Sequence, residues 1–148
     1  MGEARGITIY GQPRGTAYQA RVVKRGDGSS FASPYKTKGA TQWMKSAKRQ
    51  ILAAATWSPV WTGPIQLVLH VHMPRPDRLQ TRARIELRDV PHVAKPDTTN
   101  ILKLVEDAFK GVWWKDDSQV VDVRVTKQYA NHGEVARVEV RAIELEEA

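Results

Sequence analysis

Cysteine is absent from the 148 residues, which excludes disulfides, thiolate zinc sites and cysteine nucleophiles. No apolar run approaches the ~18 residues of a membrane span, and Met1-Gly2-Glu3-Ala4-Arg5 lacks the core of a signal peptide. No membrane partner and a cytoplasmic location are therefore expected. Acidic residues are scarce over one long stretch: from Arg14 to Arg49 nine cations face the single acid Asp27. Internal repeats and low-complexity blocks are missing too, so the length points to one domain large enough to bury a core without staples.

What is present in excess is positive charge, +7 net with a pI near 9.9, which points to an anionic partner. A second basic stretch, Arg75, Arg78, Arg82, Arg84, Arg88 and Lys95, is diluted by Asp77, Glu86 and Asp89. Most of the remaining acids gather near residues 97–122 and at Glu144, Glu146 and Glu147. Basic flanks around an acidic centre suit a protein that grips phosphates while a cation sits among carboxylates.

The patterning predicts a mixed α/β (α+β) chain. Gly6 to Tyr10 alternates and reads as a short strand. Arg14 to Gly39 reads as a long ordered loop or hairpin, with a short strand at Ala20 to Lys24 and a turn at Gly26-Asp27-Gly28. From about Ala40 to Thr56 apolar residues recur at three and four, an amphipathic helix with Lys45, Lys48 and Arg49 opposite. Ile65 to Met73 is a strand whose second face carries His70 and His72, and Pro74 to Ala94 is a loop. Val120 to Tyr129 and Val135 to Ile143 alternate around Asn131-His132-Gly133, which predicts a hairpin.

Between these lies Lys95 to Gln119, a capped helix followed by a turn with two adjacent carboxylates. Pro96 is tolerated only at or before a helix start, Asp97 is a good N-cap and Gly111 stands where the pattern ends, so the helix runs from about Thr98 to about Lys110. Ile101, Val105, Ala108 and Phe109 share one side of it, while Asn100, Lys103 and Asp107 share the other. Trp113 and Trp114 read as core packing.

Lys95-Pro96-Asp97, Asn100 and Lys103, followed at the expected distance by Trp114-Lys115-Asp116-Asp117-Ser118-Gln119, resemble the RusA-type Holliday junction resolvases. Met73-Pro74-Arg75-Pro76 adds a weaker match. The resemblance implies that residues 1–148 form a single RusA-like domain, a mixed sheet of about four to five strands with two main helices packed on it. It also implies a homodimeric endodeoxyribonuclease of phage or prophage type, acting on four-way or other branched DNA in recombination and repair. Magnesium, with manganese as a substitute, would be the cofactor.

On this reading Asp97 and Asp117 are metal ligands and Asp116 is a third ligand or a support. Lys103 meets the scissile phosphate or the leaving group, and Asn100 orients a ligand or water. Arg82, Arg84, Lys95, Lys36 and Lys38 contact DNA. Hydrolysing a phosphodiester needs a positioned water, stabilised phosphoryl oxygens and help for the leaving oxygen, which a hard cation on carboxylates supplies. One position departs from the family's usual Asp-x-Asp-Asn: Thr99 stands where the second carboxylate is found. Asp116 is the preferred substitute, with Asp107, or Glu86 or Asp89 from the loop, as further ones. The alternative expectation is a branched-DNA-binding protein that has lost cleavage through Thr99.

Overall fold

A computed structural model describes residues 3–14, 19–35, 37–54 and 59–147. Strands β1 (Ala4–Tyr10), β2 (Gln19–Lys24) and β3 (Ser30–Tyr35) precede helix α1 (Lys38–Ala54). Strand β4 (Ile65–Met73), helix α2 (Thr98–Phe109), β5 (Val120–Tyr129) and β6 (Arg137–Glu144) follow. The expected mixed sheet and two helices are present: four strands in the order β1-β6-β4-β5, with β2 and β3 paired as a separate hairpin.

β4 is one of the two inner strands, and every second side chain on it is apolar: Ile65, Leu67, Leu69, Val71 and Met73 are all buried. Val140 and Val138 lie opposite Leu69 and Val71 across the antiparallel β4–β6 ladder, and Ile9 opposite Val138 across β1–β6. Onto this face pack Trp43, Met44, Ala47 and Ile51 of α1, and Ile101, Leu104, Val105, Ala108 and Phe109 of α2. The other face is polar. Gln66 donates to Asp122 (2.8 Å), His70 Nδ1 lies 2.6 Å from Thr126 Oγ1, and buried His72 lies 3.3 Å from Glu139. The two histidines therefore share a face but take different partners.

The expected hairpin of β5 and β6 does not form. β4 stands between them, parallel to β5 and antiparallel to β6. Alternation fixes which side chains face the core but not which strand lies alongside. Parallel neighbours need a crossover of a dozen or more residues, and the 74–119 segment with α2 provides it.

Arg75 turns the loop before α2 into an ordered structure. Its guanidinium donates to the carbonyls of Leu79 (3.2 Å), Ala130 (3.3 Å), Arg84 (3.0 Å) and Leu87 (3.0 Å). Asp89, in the left-handed region at φ 54°, closes the loop onto the sheet. Its N–H donates to Asn131 Oδ1, and its carboxylate accepts from Gln128 (3.1 Å) and Asn131 (3.4 Å).

The Gln128 bond, then the Asn131 bond, hold the Asp89 carboxyl below its ordinary 3.8. A depressed carboxyl stabilises the fold above that ordinary value and loses its contribution as pH falls through the lower, folded value. Asp89→Asn keeps a residue that tolerates the left-handed backbone but removes the titration. The stability gap between wild type and D89N, followed by denaturant melts, is therefore expected to be constant above about pH 4 and to narrow as pH falls below 3.8.

Candidate active site

α2 begins and ends as its sequence dictates. Asp97 is the N-cap in extended geometry (φ −72°, ψ 155°), yet its carboxylate makes no capping bond and stays exposed. Lys127 secures the entry to the helix: its ammonium donates to the carbonyls of Ala94 (2.6 Å) and Pro96 (2.8 Å). At the far end Lys110 is the C-cap and Gly111, at φ 82°, makes the left-handed turn that a side chain would resist. The chain then folds back under α2, with Phe109, Trp113 and Trp114 all fully buried.

The two adjacent acids divide their tasks. Asp116 caps a short 3-10 turn, accepting from the N–H and hydroxyl of Ser118, while Gln119 Oε1 accepts from the Asp116 N–H (2.7 Å). Gln119 also donates to the carbonyls of Trp61 (2.9 Å) and Gly63 (3.0 Å), fastening the turn to the body. Ser118, and then Lys110 at 3.2 Å, lower the Asp116 carboxyl to about 2. Asp117 is turned inward, with 19% of its side chain exposed. Its Oδ1 accepts from Trp114 Nε1 (2.9 Å), and its Oδ2 lies 3.9 Å from Lys103 Nζ.

The same ammonium lies 3.4 Å from Asp107 Oδ1, one turn further along α2, where only 12% of the side chain is exposed. Lys103 thus bridges Asp107 and Asp117. Glu106 belongs to this group: burial, then the charge of Asp117, raises its carboxyl above the ordinary 4.5. Asn100 and Asp97 lie successively earlier on the helix, Asp97 about 9 Å of rise before Lys103. Among the described residues no three His, Cys, Asp or Glu side chains converge tightly enough to hold a metal ion.

The structure therefore brings Lys103 together with Asp117 and places Asp116 beside them as a cap. Asn100 and Asp97 stand toward the N-terminal end of the same helix. Of the cations expected to meet DNA, Arg82, Arg84 and Lys95 are exposed on the loop, Lys38 is exposed at the start of α1, and Lys36 lies outside the described residues.

Of the two substitutes considered for the carboxylate missing at Thr99, Asp107 lies beside Lys103 together with Asp117, whereas Asp116 pairs with Lys110. Sequence reasoning missed Glu106, three residues after Lys103 and so on the same side of the helix. It also missed Lys127, for which a signal existed. A lysine at that point of the alternation falls on the helix-facing side of β5, with Val123 and Val125, and its stem lies along that side while its ammonium reaches acceptors at the rim.

Residues 11–142 match the family described as endodeoxyribonuclease RusA. The chain belongs to that family. It is also 32% identical over 140 residues to the uncharacterized protein YqaN of Bacillus subtilis (strain 168), covering 90% of this chain and 92% of that one. The match to this endodeoxyribonuclease family takes in both α2 and the Asp116–Asp117 turn, so the two motifs recognised in the sequence lie within the matched region. No helix among the described residues is long and apolar enough to cross a membrane.

Proposed function

We propose that this RusA-family chain is a magnesium-dependent endonuclease that resolves four-way DNA junctions as a homodimer. The observation that carries the reading is the meeting of Lys103 with Asp117, 3.9 Å apart, from two separate motifs of a nuclease family. The donor set fits a hard cation: oxygen ligands only, with Asp107 and Asp117 on either side of one ammonium and the carboxyl of Glu106, raised by burial and then by the charge of Asp117, on the same helix. Magnesium keeps several waters and needs only one or two protein carboxylates, which Asp117 and Asp97 would supply. When bound, the cation supplies charge neutralisation at the phosphoryl oxygens and a water of lowered pKa.

The chain's own residues do the rest. Lys103, 46% exposed at its side chain, can donate to the scissile phosphate or to the departing oxygen while Asp107 holds it in place. Asn100 orients a water or a ligand by hydrogen bonding. Asp116 keeps the turn shaped so that Asp117 faces inward. Arg82, Arg84, Lys95 and Lys38 grip the backbone of the junction arms, and a two-fold dimer presents one such site to each of two strands. A specific feature favours a second reading, a junction-binding protein without cleavage: Thr99, exposed in the first turn of α2, brings a hydroxyl where the family's second carboxylate is found.

Cleavage of a labelled four-way junction and of linear duplex, with magnesium and with chelator, tests both. Symmetric, metal-dependent nicks confined to the junction support the resolvase. Tight junction binding without nicks in magnesium or manganese sinks it and leaves the binding protein. A further expectation concerns the loop: Arg82→Ala with Arg84→Ala should weaken junction binding and lower the slope of log affinity against log salt by about 4, roughly 1 for each phosphate no longer neutralised by the two residues of each protomer of the dimer. An unchanged slope would remove both residues from the interface.

A further inference from the structure

We propose that Trp114 is a positioning residue for Asp117, its indole N–H selecting which carboxylate oxygen is presented to the reaction. The inference rests on the metal-nuclease reading above and extends it to a residue that sequence reasoning assigns to packing alone.

Trp114 Nε1 donates to Asp117 Oδ1 at 2.9 Å, leaving Oδ2 as the oxygen directed toward Lys103 Nζ. The donor has little freedom. Its ring is fully buried and stacked on Phe109, with centroids 5.5 Å apart and planes 21° apart. Its backbone is bridged to Trp61 on one side and Lys110 on the other, and Gly111 N–H donates to its carbonyl at 2.6 Å. On the acceptor side, the Asp116 cap and the Gln119 bonds to Trp61 and Gly63 fix the backbone that carries Asp117. A carboxylate whose backbone is fixed and whose one oxygen is held cannot swing its other oxygen away.

Tryptophan suits this task for a chemical reason. Its indole offers one donor and no acceptor, so it cannot reverse the bond, and its apolar bulk anchors that donor in the core. Removing a partner that holds the free atom of a metal-binding side chain changes metal affinity by about 10–100-fold. Without the N–H, Asp117 Oδ1 would go without its indole donor, and the carboxylate would sample orientations in which neither oxygen is presented correctly.

The test is Trp114→Phe, which keeps an aromatic ring and removes the N–H, together with replacement of Trp114 by benzothienylalanine, which keeps the two-ring shape and puts sulfur in place of N–H. Mn2+ binding to the full chain is measured from the paramagnetic resonance of free Mn2+, and junction affinity is measured in chelator. The expected result for both variants is a Mn2+ dissociation constant raised about 10–100-fold with junction affinity unchanged, and cleavage partly restored at high Mn2+. Wild-type Mn2+ affinity in the benzothienylalanine protein would overturn the proposal, including where the phenylalanine variant does not fold. If the wild type itself binds no Mn2+, the metal-nuclease reading falls and takes this inference with it. Normal wild-type binding with unaffected variants removes the role of Trp114 alone.

Discussion

Asp117→Asn is expected to reduce junction cleavage by about a thousandfold while junction affinity in chelator stays near that of the wild type. Such a drop corresponds to ~4 kcal/mol of transition-state stabilisation, the scale on which a metal-held phosphoryl group depends. The variant should fold normally. An asparagine oxygen can still accept from Trp114 Nε1, and the amide removes only the charge that faces Lys103 at 3.9 Å. Single-turnover cleavage with saturating junction separates chemistry from binding. Cleavage within a few-fold of wild type would exclude Asp117 from the chemistry. A parallel fall in junction affinity would instead mark it as part of the DNA-binding surface.

Phe109→Ala is expected to have the largest effect on stability, about 3–5 kcal/mol, the usual range for deleting a fully buried phenylalanine ring. Phe109 is completely enclosed, with ring centroids 4.4 Å from Trp113 and 5.5 Å from Trp114. Its removal leaves a void at the end of α2 that two indoles cannot easily collapse into. Urea unfolding should show a lower midpoint with an unchanged slope, and the thermal midpoint should fall by about 10 °C or more. Because Trp114 carries the N–H that holds Asp117, metal affinity should weaken before the fold is lost. A stability within about 1 kcal/mol of wild type would mean that the cluster is less tightly packed than its distances imply.

Much of this was legible in the residues themselves. Pro96, Asp97 and Gly111 punctuate α2 through backbone rules that act within a few residues, so its limits agree with the pattern to about a turn. The alternation of β4 and β6 identified the buried faces for the same reason, since period 2 is a property of one strand. Neighbourhood is not. Nothing in Val120–Tyr129 or in the Asn131-His132-Gly133 turn says that β4 will lie between the last two strands, because that outcome is decided by the crossover through α2.

The site was legible to a similar depth. Spacing put Lys103 and Asp107 on one side of the helix and brought Asp117 after it. It could not tell that Asp116 would be occupied with Ser118 and Lys110, or that Asp107 and Asp117 would share Lys103. These are facts about the direction of side chains after a turn has closed. For Lys127 the alternation gives the side of β5 on which it falls but not its partners, two carbonyls more than thirty residues earlier in the chain.

The last strand of the chain is not the last strand of the sheet. β6 lies between β1 and β4, so Ile9 waits for Val138, well over a hundred residues later, before β1 has any neighbour in the main sheet. During synthesis, β1 and one edge of β4 are open until β6 leaves the ribosome, and the core cannot close by stages from the N-terminus. A premature stop ahead of Arg137 would thus do more than shorten the protein. It would leave two unpaired strand edges beside an uncovered apolar face, the form in which chains join one another rather than themselves.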